Sequence, residues 1–277
     1  MKLRSFYKIY YEHRLKKANF ILKIYLFIVI LLNFFLKKKN KIVNLDLISK
    51  NNSELFNRNF DFLCEYFNTD KGSFLIEQYS KNKAIHRTRG HSYSLLYEKI
   101  FSLNKDNIKN ILEIGAFKGN SVAALFFYFK NSIIYSADLY PDLFLYKSNR
   151  IKNYLVDSGS EVSIFSIKNK LPILDIIIDD AGHYLKDQII TLFSLFDILN
   201  AGGYFVIEEL DFPDTRKDMN VFNESTTLKN ILLSAKNGVD FNSKYISREQ
   251  KKYFLDNFES INIFRGTFNE IAFIKKK

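Results

Sequence analysis

Beyond residue 107 the chain alternates between short apolar runs and longer segments whose apolar residues recur at helical spacing. The short runs have the length of buried strands and lie at 110–115, 132–138, 161–167, 173–179 and 203–209. The helical segments lie at 121–129 and 187–199, and two late runs, 260–266 and 269–276, predict a hairpin. Strands that alternate with helices predict an α/β fold with a doubly wound, mostly parallel, seven-stranded Rossmann-like sheet.

Another long apolar run, 20–36, stands apart from this pattern near the start of the chain. Only Lys23 and Asn33 interrupt its seventeen residues, which as a helix would span about 25 Å. Since a bilayer core is about 30 Å thick, the run predicts a membrane span, a helix lying in the membrane surface, or a helix packed on the main domain. The polar stretch after it predicts a linker, which divides the chain into an N-terminal segment, 1–53, and a domain, 54–277.

The charge of the chain is concentrated in this N-terminal segment. Residues 1–50 hold twelve of the 41 Lys and Arg and two of the 30 Asp and Glu, so they carry +10 of the net charge of +11. The other 227 residues carry +1, which argues against a nucleic-acid partner because phosphate binding needs a basic surface. An anionic membrane surface fits the basic segment. The single cysteine, Cys64, excludes a disulfide framework and a thiolate metal cluster.

The end of the first predicted strand carries a glycine pattern typical of a ligand-binding turn. Glu113, Gly115 and Gly119 form an E-x-G-x-x-x-G sequence, in which Gly115 lets the backbone approach a ligand closely. Asp138 ends the second strand, where a carboxylate can accept both hydroxyls of a ribose. Together they favour a nucleoside-bearing cofactor over a plain strand–turn–helix connection. No phosphate-binding lysine motif accompanies them, which argues against ATP or GTP.

Acidic residues cluster at the ends of the fourth and fifth predicted strands. Asp179 and Asp180 follow one strand, and Glu208 and Glu209 follow the other, at positions that should border the same crevice. Such carboxylates repel one another unless a cation joins them, and oxygen ligands favour Mg²⁺, Ca²⁺ or Mn²⁺ over zinc. Solvated loop acids are the alternative interpretation. Of the four histidines in the sequence, His183 follows Asp180 at a strand end, where a general base could act.

Five segments of the chain resemble the metal-dependent sugar O-methyltransferases of macrolide and tetracenomycin biosynthesis, which are class I S-adenosylmethionine-dependent methyltransferases. The segments are T-D-K-G-S at 69–73, H-S-Y through Y-E to F at 91–101, the E-x-G turn at 113–119, D-D-A-G-H at 179–183 and V-I-E-E at 206–209. The resemblance covers about residues 65–211. The departures are seventeen residues at 74–90, Ala-Gly in place of Gly-Ser before the histidine, and Glu209 in place of an aspartate.

The resemblance assigns roles to individual residues. It implies that Asp180, Glu208 and Glu209 hold Mg²⁺ and that His183 is the base. It also implies a set of contacts with S-adenosylmethionine, and these are Glu113, Gly115, Ala116, Gly119, Asp138, Asp157, Asp179 and Tyr93. Asp157 is expected near the adenine, and Tyr93 is expected to face the cofactor or the acceptor.

The leading hypothesis is an S-adenosylmethionine-dependent O-methyltransferase that acts, with metal assistance, on a sugar hydroxyl of a glycan, glycolipid or glycosylated metabolite. It is expected at the cytoplasmic face of the membrane, or free in the cytoplasm, because S-adenosylmethionine is made in the cytosol. Three alternatives use the same fold: a nucleic-acid methyltransferase, a non-catalytic membrane-associated binding protein and a hydroxylase-like enzyme. No motif in the chain specifies the acceptor or an oligomeric state.

Overall fold

The computed structural model describes residues 2–10, 12, 18–36, 41–76 and 87–277. Its strands are β1 (Val43–Asn44), β2 (Phe74–Ile76), β3 (Arg87–Arg89), β4 (Asn110–Ile114), β5 (Ile133–Asp138), β6 (Tyr146–Lys147), β7 (Ile151–Leu155), β8 (Leu174–Asp179), β9 (Leu199–Ile207), β10 (Phe258–Arg265) and β11 (Glu270–Lys276). Its α-helices are α1 (Leu3–Tyr10), α2 (Phe20–Leu36), α3 (Leu45–Asn51), α4 (Phe60–Phe67), α5 (Tyr93–Phe101), α6 (Asn120–Tyr128), α7 (Glu161–Lys168), α8 (Leu185–Leu195), α9 (Phe212–Thr215), α10 (Leu228–Lys236) and α11 (Arg248–Asn257).

Seven strands form the central sheet, in the order β10-β11-β9-β8-β4-β5-β7. The five strands from β9 to β7 in this order run parallel, whereas β11 pairs antiparallel with β9, and β10 pairs antiparallel with β11. The predicted mainly parallel sheet with a late hairpin is therefore confirmed. After β7 the chain crosses to the other side of β4 to form β8, so the carboxyl ends of β4 and β8 flank the switch point where ligands bind in such sheets.

Both faces of this sheet are covered by helices because the central strands carry apolar side chains on both faces. On β8, Ile176 and Ile178 pack into one hydrophobic cluster with residues of α4, α5 and α6. Ile177 packs into a second cluster with residues of α7, α8, α10 and α11. The sheet is doubly wound, and its two layers of helices leave the carboxyl ends of the strands as the open side of the molecule.

One predicted strand, 161–167, is wrong, because these residues form the helix α7. Ile164 and Ile167, three positions apart, are buried, whereas Val162 and Phe165 are 80% and 65% exposed. A spacing of three between buried residues describes one face of a helix. The strand that takes the corresponding place in the sheet is β7, whose sequence IKNYL mixes polar and apolar residues as an edge strand does.

The start of β9 also differs from the prediction. The helix α8 ends at Leu195, before the predicted end at 199, and β9 begins at Leu199, before the predicted start at 203. The register between β8 and β9 shifts between Leu174 and Ile176, which is the signature of a strand irregularity. Gly202 and Gly203 therefore lie in the irregular first half of β9, where glycine often marks such an irregularity.

The described part of the predicted linker, 41–53, packs on the domain. β1 pairs with β6 in parallel, and Leu45 at the start of α3 is fully buried. The carboxylate of Asp46 accepts hydrogen bonds from the Ser148 hydroxyl at 2.7 Å and the Asn149 backbone N–H at 3.0 Å. Residues 41–53 are thus structurally continuous with the domain that was predicted to begin at residue 54.

The apolar run near the start of the chain forms α2, and most of its large side chains are exposed. Ile30 is buried and packs with Phe6 of α1, which also contacts the Phe34 ring. Over the described residues, no helix is long and apolar enough to cross a membrane. The predicted membrane span is therefore not supported. Six of the twelve basic residues of 1–50 and two of the four histidines lie outside the described residues, namely Arg14, Lys16, Lys17, Lys37, Lys38, Lys39, His13 and His86.

Candidate active site

A cavity of about 760 Å³ opens at the carboxyl ends of the parallel strands. Gly115 and Ala116 border it after β4, Asp138 at the end of β5, Asp157 after β7 and Asp180 after β8. Its volume lies within the range of about 300–1,000 Å³ that is usual for small-molecule sites. The structure therefore brings four predicted cofactor contacts and one predicted metal ligand around one cavity.

The turn after β4 needs glycine at residue 115 because the end of β8 passes directly against it. Gly115 has a φ of +94°, and a Cβ atom there would overlap the carbonyl oxygen of Asp180. The Asp180 backbone N–H also donates to the Ile114 carbonyl at 2.9 Å. This close approach fixes Asp180 beside the cavity.

Asp138 ties the end of β5 to the same turn. Its carboxylate accepts the Phe117 backbone N–H at 2.8 Å and the Tyr140 backbone N–H at 2.7 Å. Burial raises the pKa of Asp138, although the two N–H donors oppose that effect. Each carboxylate oxygen can accept a further hydrogen bond, so the group retains the capacity to bind ribose hydroxyls.

Glu113 and Gly119, which were also predicted as cofactor contacts, do not line the cavity. The Glu113 carboxylate is fully buried, and its Oε1 accepts a hydrogen bond from the Ser121 hydroxyl. Its Oε2 has no hydrogen-bond partner among the described residues. Gly119 caps the start of α6 with a φ of +84°. Both residues therefore shape the turn from behind the cavity wall.

Asp179 and Tyr93 likewise lie behind the cavity. Asp179 accepts a hydrogen bond from the Thr191 hydroxyl, and burial raises the pKa of its carboxyl to about 7. The fully buried Tyr93 has its hydroxyl 3.4 Å from both the Glu209 backbone nitrogen and the Glu270 carbonyl oxygen. The structure thus places Tyr93 under the end of β9, where it does not line the cavity.

Asp180, His183 and Glu209 form a group that could hold a metal ion. One ligand atom from each lies within 4.8 Å of the others. The His183 Nε2 atom is 3.9 Å from Asp180 Oδ1 and 3.7 Å from Glu209 Oε2. Glu209 Oε2 is buried and has no hydrogen-bond partner in the described part of the chain. An unpartnered buried carboxylate oxygen beside a second acid suits a hard divalent cation.

Glu208, the third predicted metal ligand, is not part of this group of three. Its Oε1 accepts the Tyr97 hydroxyl at 2.7 Å, and its Oε2 accepts the Lys71 ammonium at 2.6 Å. Burial raises the pKa of Glu208 to about 8, and the nearby Lys71 charge opposes that rise. Both Glu208 oxygens therefore have partners within the described part of the chain, and its role as a metal ligand stays a prediction.

Lys71 is the functional-site residue that sequence reasoning missed. Its ammonium contacts Asp180 and Glu208 and lies 3.4 Å from Glu113 Oε1, with 1% of the side chain exposed. Burial disfavours its charge, but the three carboxylates more than offset this and raise the pKa of Lys71 well above its usual value. The chain therefore supplies one cation to the acidic cluster. The T-D-K-G-S segment, which contains Lys71, was part of the resemblance to the sugar O-methyltransferases, but the resemblance assigned no role to this lysine.

The environment of His183 suits a neutral imidazole. The residue has a φ of +56°, and the Phe212 ring packs edge-on against its imidazole at 5.2 Å. Burial lowers the pKa of His183, although the Asp180 charge acts in the opposite direction. A neutral imidazole beside two acids can accept a proton and be stabilised once it has done so.

The strand order, the late hairpin and the cavity at the strand ends together define a methyltransferase-like α/β fold. The structure is similar to the MycE methyltransferase from the mycinamycin biosynthetic pathway in complex with Mg and SAH, with a TM-score of 0.59 and 19% identity. The match covers 79% of this chain and 55% of that chain. The same methyltransferase in complex with Mg, SAH and mycinamycin VI also gives a TM-score of 0.59, at 19% identity, over 79% and 54%.

The sequence is similar to the 8-demethyl-8-alpha-L-rhamnosyl tetracenomycin-C 2'-O-methyltransferase of Streptomyces olivaceus. The two are 30% identical over 128 residues, which is 43% of this chain and 33% of the relative. The chain thus spans about a third of the length of this curated relative. No family model matches the sequence. The resemblance to the macrolide and tetracenomycin sugar O-methyltransferases is confirmed.

Proposed function

We propose that the chain is an S-adenosylmethionine-dependent O-methyltransferase that acts on a sugar hydroxyl. The observation that carries the proposal is the position of Asp180, which borders the cofactor cavity and also belongs to the acid–histidine group. A methyl donor in the cavity and an acceptor oxygen at the group would therefore meet at one strand end. The name of the tetracenomycin relative, a rhamnosyl 2'-O-methyltransferase, supports a sugar acceptor.

In this proposal the cavity holds the cofactor through residues of three strand ends. Asp138 binds the ribose hydroxyls, and Asp157 lies toward the adenine. Gly115 and Ala116 let the backbone approach the cofactor closely, because neither carries a long side chain. The other predicted contacts do not line the cavity, and we propose that they stabilise its shape. They are Glu113, Gly119, Asp179 and Tyr93.

Mg²⁺ is the proposed second ligand of the site, and Asp180 and Glu209 would hold it. The buried, unpartnered Glu209 Oε2 supports this assignment. When bound, the cation would stabilise negative charge on an acceptor oxygen. Glu208 stays the predicted third ligand, and it contacts Lys71, which also contacts Asp180.

His183 is the proposed base of the reaction. Its Nε2 atom accepts the proton of the acceptor hydroxyl, and the negative charges of Asp180 and Glu209 within 4 Å stabilise the resulting imidazolium. General base catalysis of this kind contributes about 10²–10⁴ in rate. Holding the hydroxyl oxygen in line with the methyl group supplies a further part of the acceleration.

Calorimetry and methyl transfer with the full chain test this function. We expect S-adenosylmethionine to release heat on binding, whereas NAD should not. His183→Ala should keep the cofactor affinity and lose about 10²–10⁴ in transfer to a rhamnosyl polyketide, because only the base is removed. Heat with NAD in place of S-adenosylmethionine would contradict the methyltransferase proposal. Unchanged turnover of His183→Ala would remove His183 from the mechanism.

We also propose that the N-terminal segment binds an anionic membrane surface, at the cytoplasmic face. Ten large apolar side chains of α2 are exposed, namely Phe20, Ile21, Leu22, Ile24, Tyr25, Phe27, Ile28, Leu32, Phe35 and Leu36. Residues 1–50 around them carry a net charge of +10. Apolar burial combined with lysine and arginine charge is the combination that holds a helix in the plane of an anionic bilayer.

A further inference from the structure

His91 lies next to the proposed metal ligands but has no role in the function proposed above. Its Nε2 atom is 3.1 Å from Glu209 Oε1. The backbone at His91 is held on both sides, since its N–H donates to the Asp70 carbonyl at 2.7 Å and its carbonyl accepts the Thr267 N–H at 2.7 Å. The backbone of His91 is therefore held by these two hydrogen bonds, independently of its side chain.

The imidazole of His91 is fixed as well. The Tyr93 ring stacks on it with a centroid distance of 5.1 Å, and the Phe268 ring contacts it edge-on at 5.8 Å. These two contacts fix the plane of the ring, and the ring lies with Nε2 3.1 Å from Glu209 Oε1. A carboxylate that binds a metal is ionised and only accepts hydrogen bonds, so Nε2 would be the donor of this pair in the metal-bound state.

The contact with His91 makes the two oxygens of the Glu209 carboxylate different. Oε1 accepts the His91 donor, whereas Oε2 is buried, has no hydrogen-bond partner among the described residues and lies 3.7 Å from His183 Nε2. The two oxygens of Asp180 differ in the same way, because its Oδ2 contacts Lys71 and its Oδ1 is 3.9 Å from His183 Nε2. Each acid thus turns one oxygen toward the same small volume.

We infer that His91 is a positioning residue that orients Glu209 for a divalent cation. This inference rests on the proposed metal site. Donors of this kind fix the orientation of a metal-binding carboxylate, and their loss typically costs about 10–100-fold in metal affinity. Glu209 has one more rotatable bond than an aspartate, so without the His91 donor its free oxygen would no longer be held in one direction.

Titration of the full chain with Mn²⁺, followed by the loss of the free-ion electron paramagnetic resonance signal, tests this inference. His91→Phe keeps an aromatic ring between Tyr93 and Phe268 but removes the donor, and we expect its Mn²⁺ affinity to fall about 10–100-fold. His91→Gln supplies an amide N–H near the position of Nε2 and should restore most of that loss. Phe268→Leu changes the packing on the same ring and keeps the donor, so its affinity should match the unsubstituted chain.

The outcomes separate this inference from the proposed metal site. If the unsubstituted chain binds no Mn²⁺, the metal site itself is wrong and the inference falls with it. If the chain binds Mn²⁺ and His91→Phe binds it equally well, only the inference is overturned. An equal loss in Phe268→Leu would also overturn it, since packing and not the donor would then set the affinity. If His91→Phe no longer binds S-adenosylmethionine, His91→Asn replaces it in the comparison with His91→Gln. The asparagine amide is too short to reach Glu209.

Discussion

At residue 71 the chain places an ammonium group among three carboxylates, with almost no exposure to solvent. Burial raises the pKa of the Glu113 and Glu208 carboxyls in this cluster, and a nearby positive charge opposes that rise. Lys71 supplies that charge on one side of Asp180. On the other side, Asp180 Oδ1 and Glu209 Oε2 lie 3.9 Å and 3.7 Å from His183 Nε2.

Lys71→Met should therefore destabilise the fold strongly. Methionine fills a similar volume but leaves buried carboxylates without a partner, a loss that typically costs about 3–5 kcal/mol. Urea unfolding of the full chain measures the change. Lys168→Met is the matched control, since Lys168 pairs with Asp197 at the surface and its loss should cost less than about 1 kcal/mol. Equal, small losses in both variants would show that the Lys71 cluster is not held by charge.

The turn that joins β4 to α6 carries part of the cavity wall and touches the end of β8. Gly115 and Gly202 both have positive φ, at +94° and +74°. A Cβ at Gly115 would overlap the Asp180 backbone, whereas a Cβ at Gly202 would meet nothing within 4 Å. Comparing alanine substitutions at the two positions therefore distinguishes the free-energy cost of the left-handed backbone from the cost of the overlap with Asp180.

Gly115→Ala should weaken both stability and cofactor binding, whereas Gly202→Ala should weaken stability alone. The left-handed conformation costs an alanine about 1–2 kcal/mol at either position. At Gly115 the overlap with Asp180 adds to this and pushes the turn away from β8, which distorts the cavity. Urea unfolding and calorimetry with S-adenosylmethionine measure the two effects. Full cofactor affinity in Gly115→Ala would show that the turn does not shape the cofactor site.

The central sheet could be predicted from the sequence because strands buried on both faces are continuous apolar runs. The edge strand β7 could not, since its mixed sequence IKNYL carries no such run, and the apolar residues of α7 next to it resembled a strand. Strand-end acids such as Asp180 follow directly from the sheet pattern. Lys71 lies 109 residues before Asp180, and only tertiary packing brings the two together.

For the whole molecule, charge and apolar surface are distributed unevenly. The N-terminal segment carries nearly all of the net charge, and α2 exposes most of its large side chains. α1 also contacts the domain close to the cofactor cavity, because the Ser5 hydroxyl donates to Asp142 at 2.7 Å, a few residues after Asp138. If the segment binds a membrane as proposed, this contact would keep the loop after β5 close to it.

Vesicle sedimentation of the full chain tests this arrangement. We expect binding to vesicles that contain phosphatidylglycerol and little binding to pure phosphatidylcholine, with an affinity that falls as salt screens the basic residues. Replacing Phe20 and Phe35 of α2, each over three-quarters exposed, by serine should weaken binding, because each buried phenylalanine contributes about 1.5–3 kcal/mol. Val221 and Phe222, exposed on the domain, are the matched control, and their replacement by serine should leave binding unchanged. Equal binding to both vesicle types would refute the electrostatic component, and equal losses in both variants would show that α2 is not the binding element.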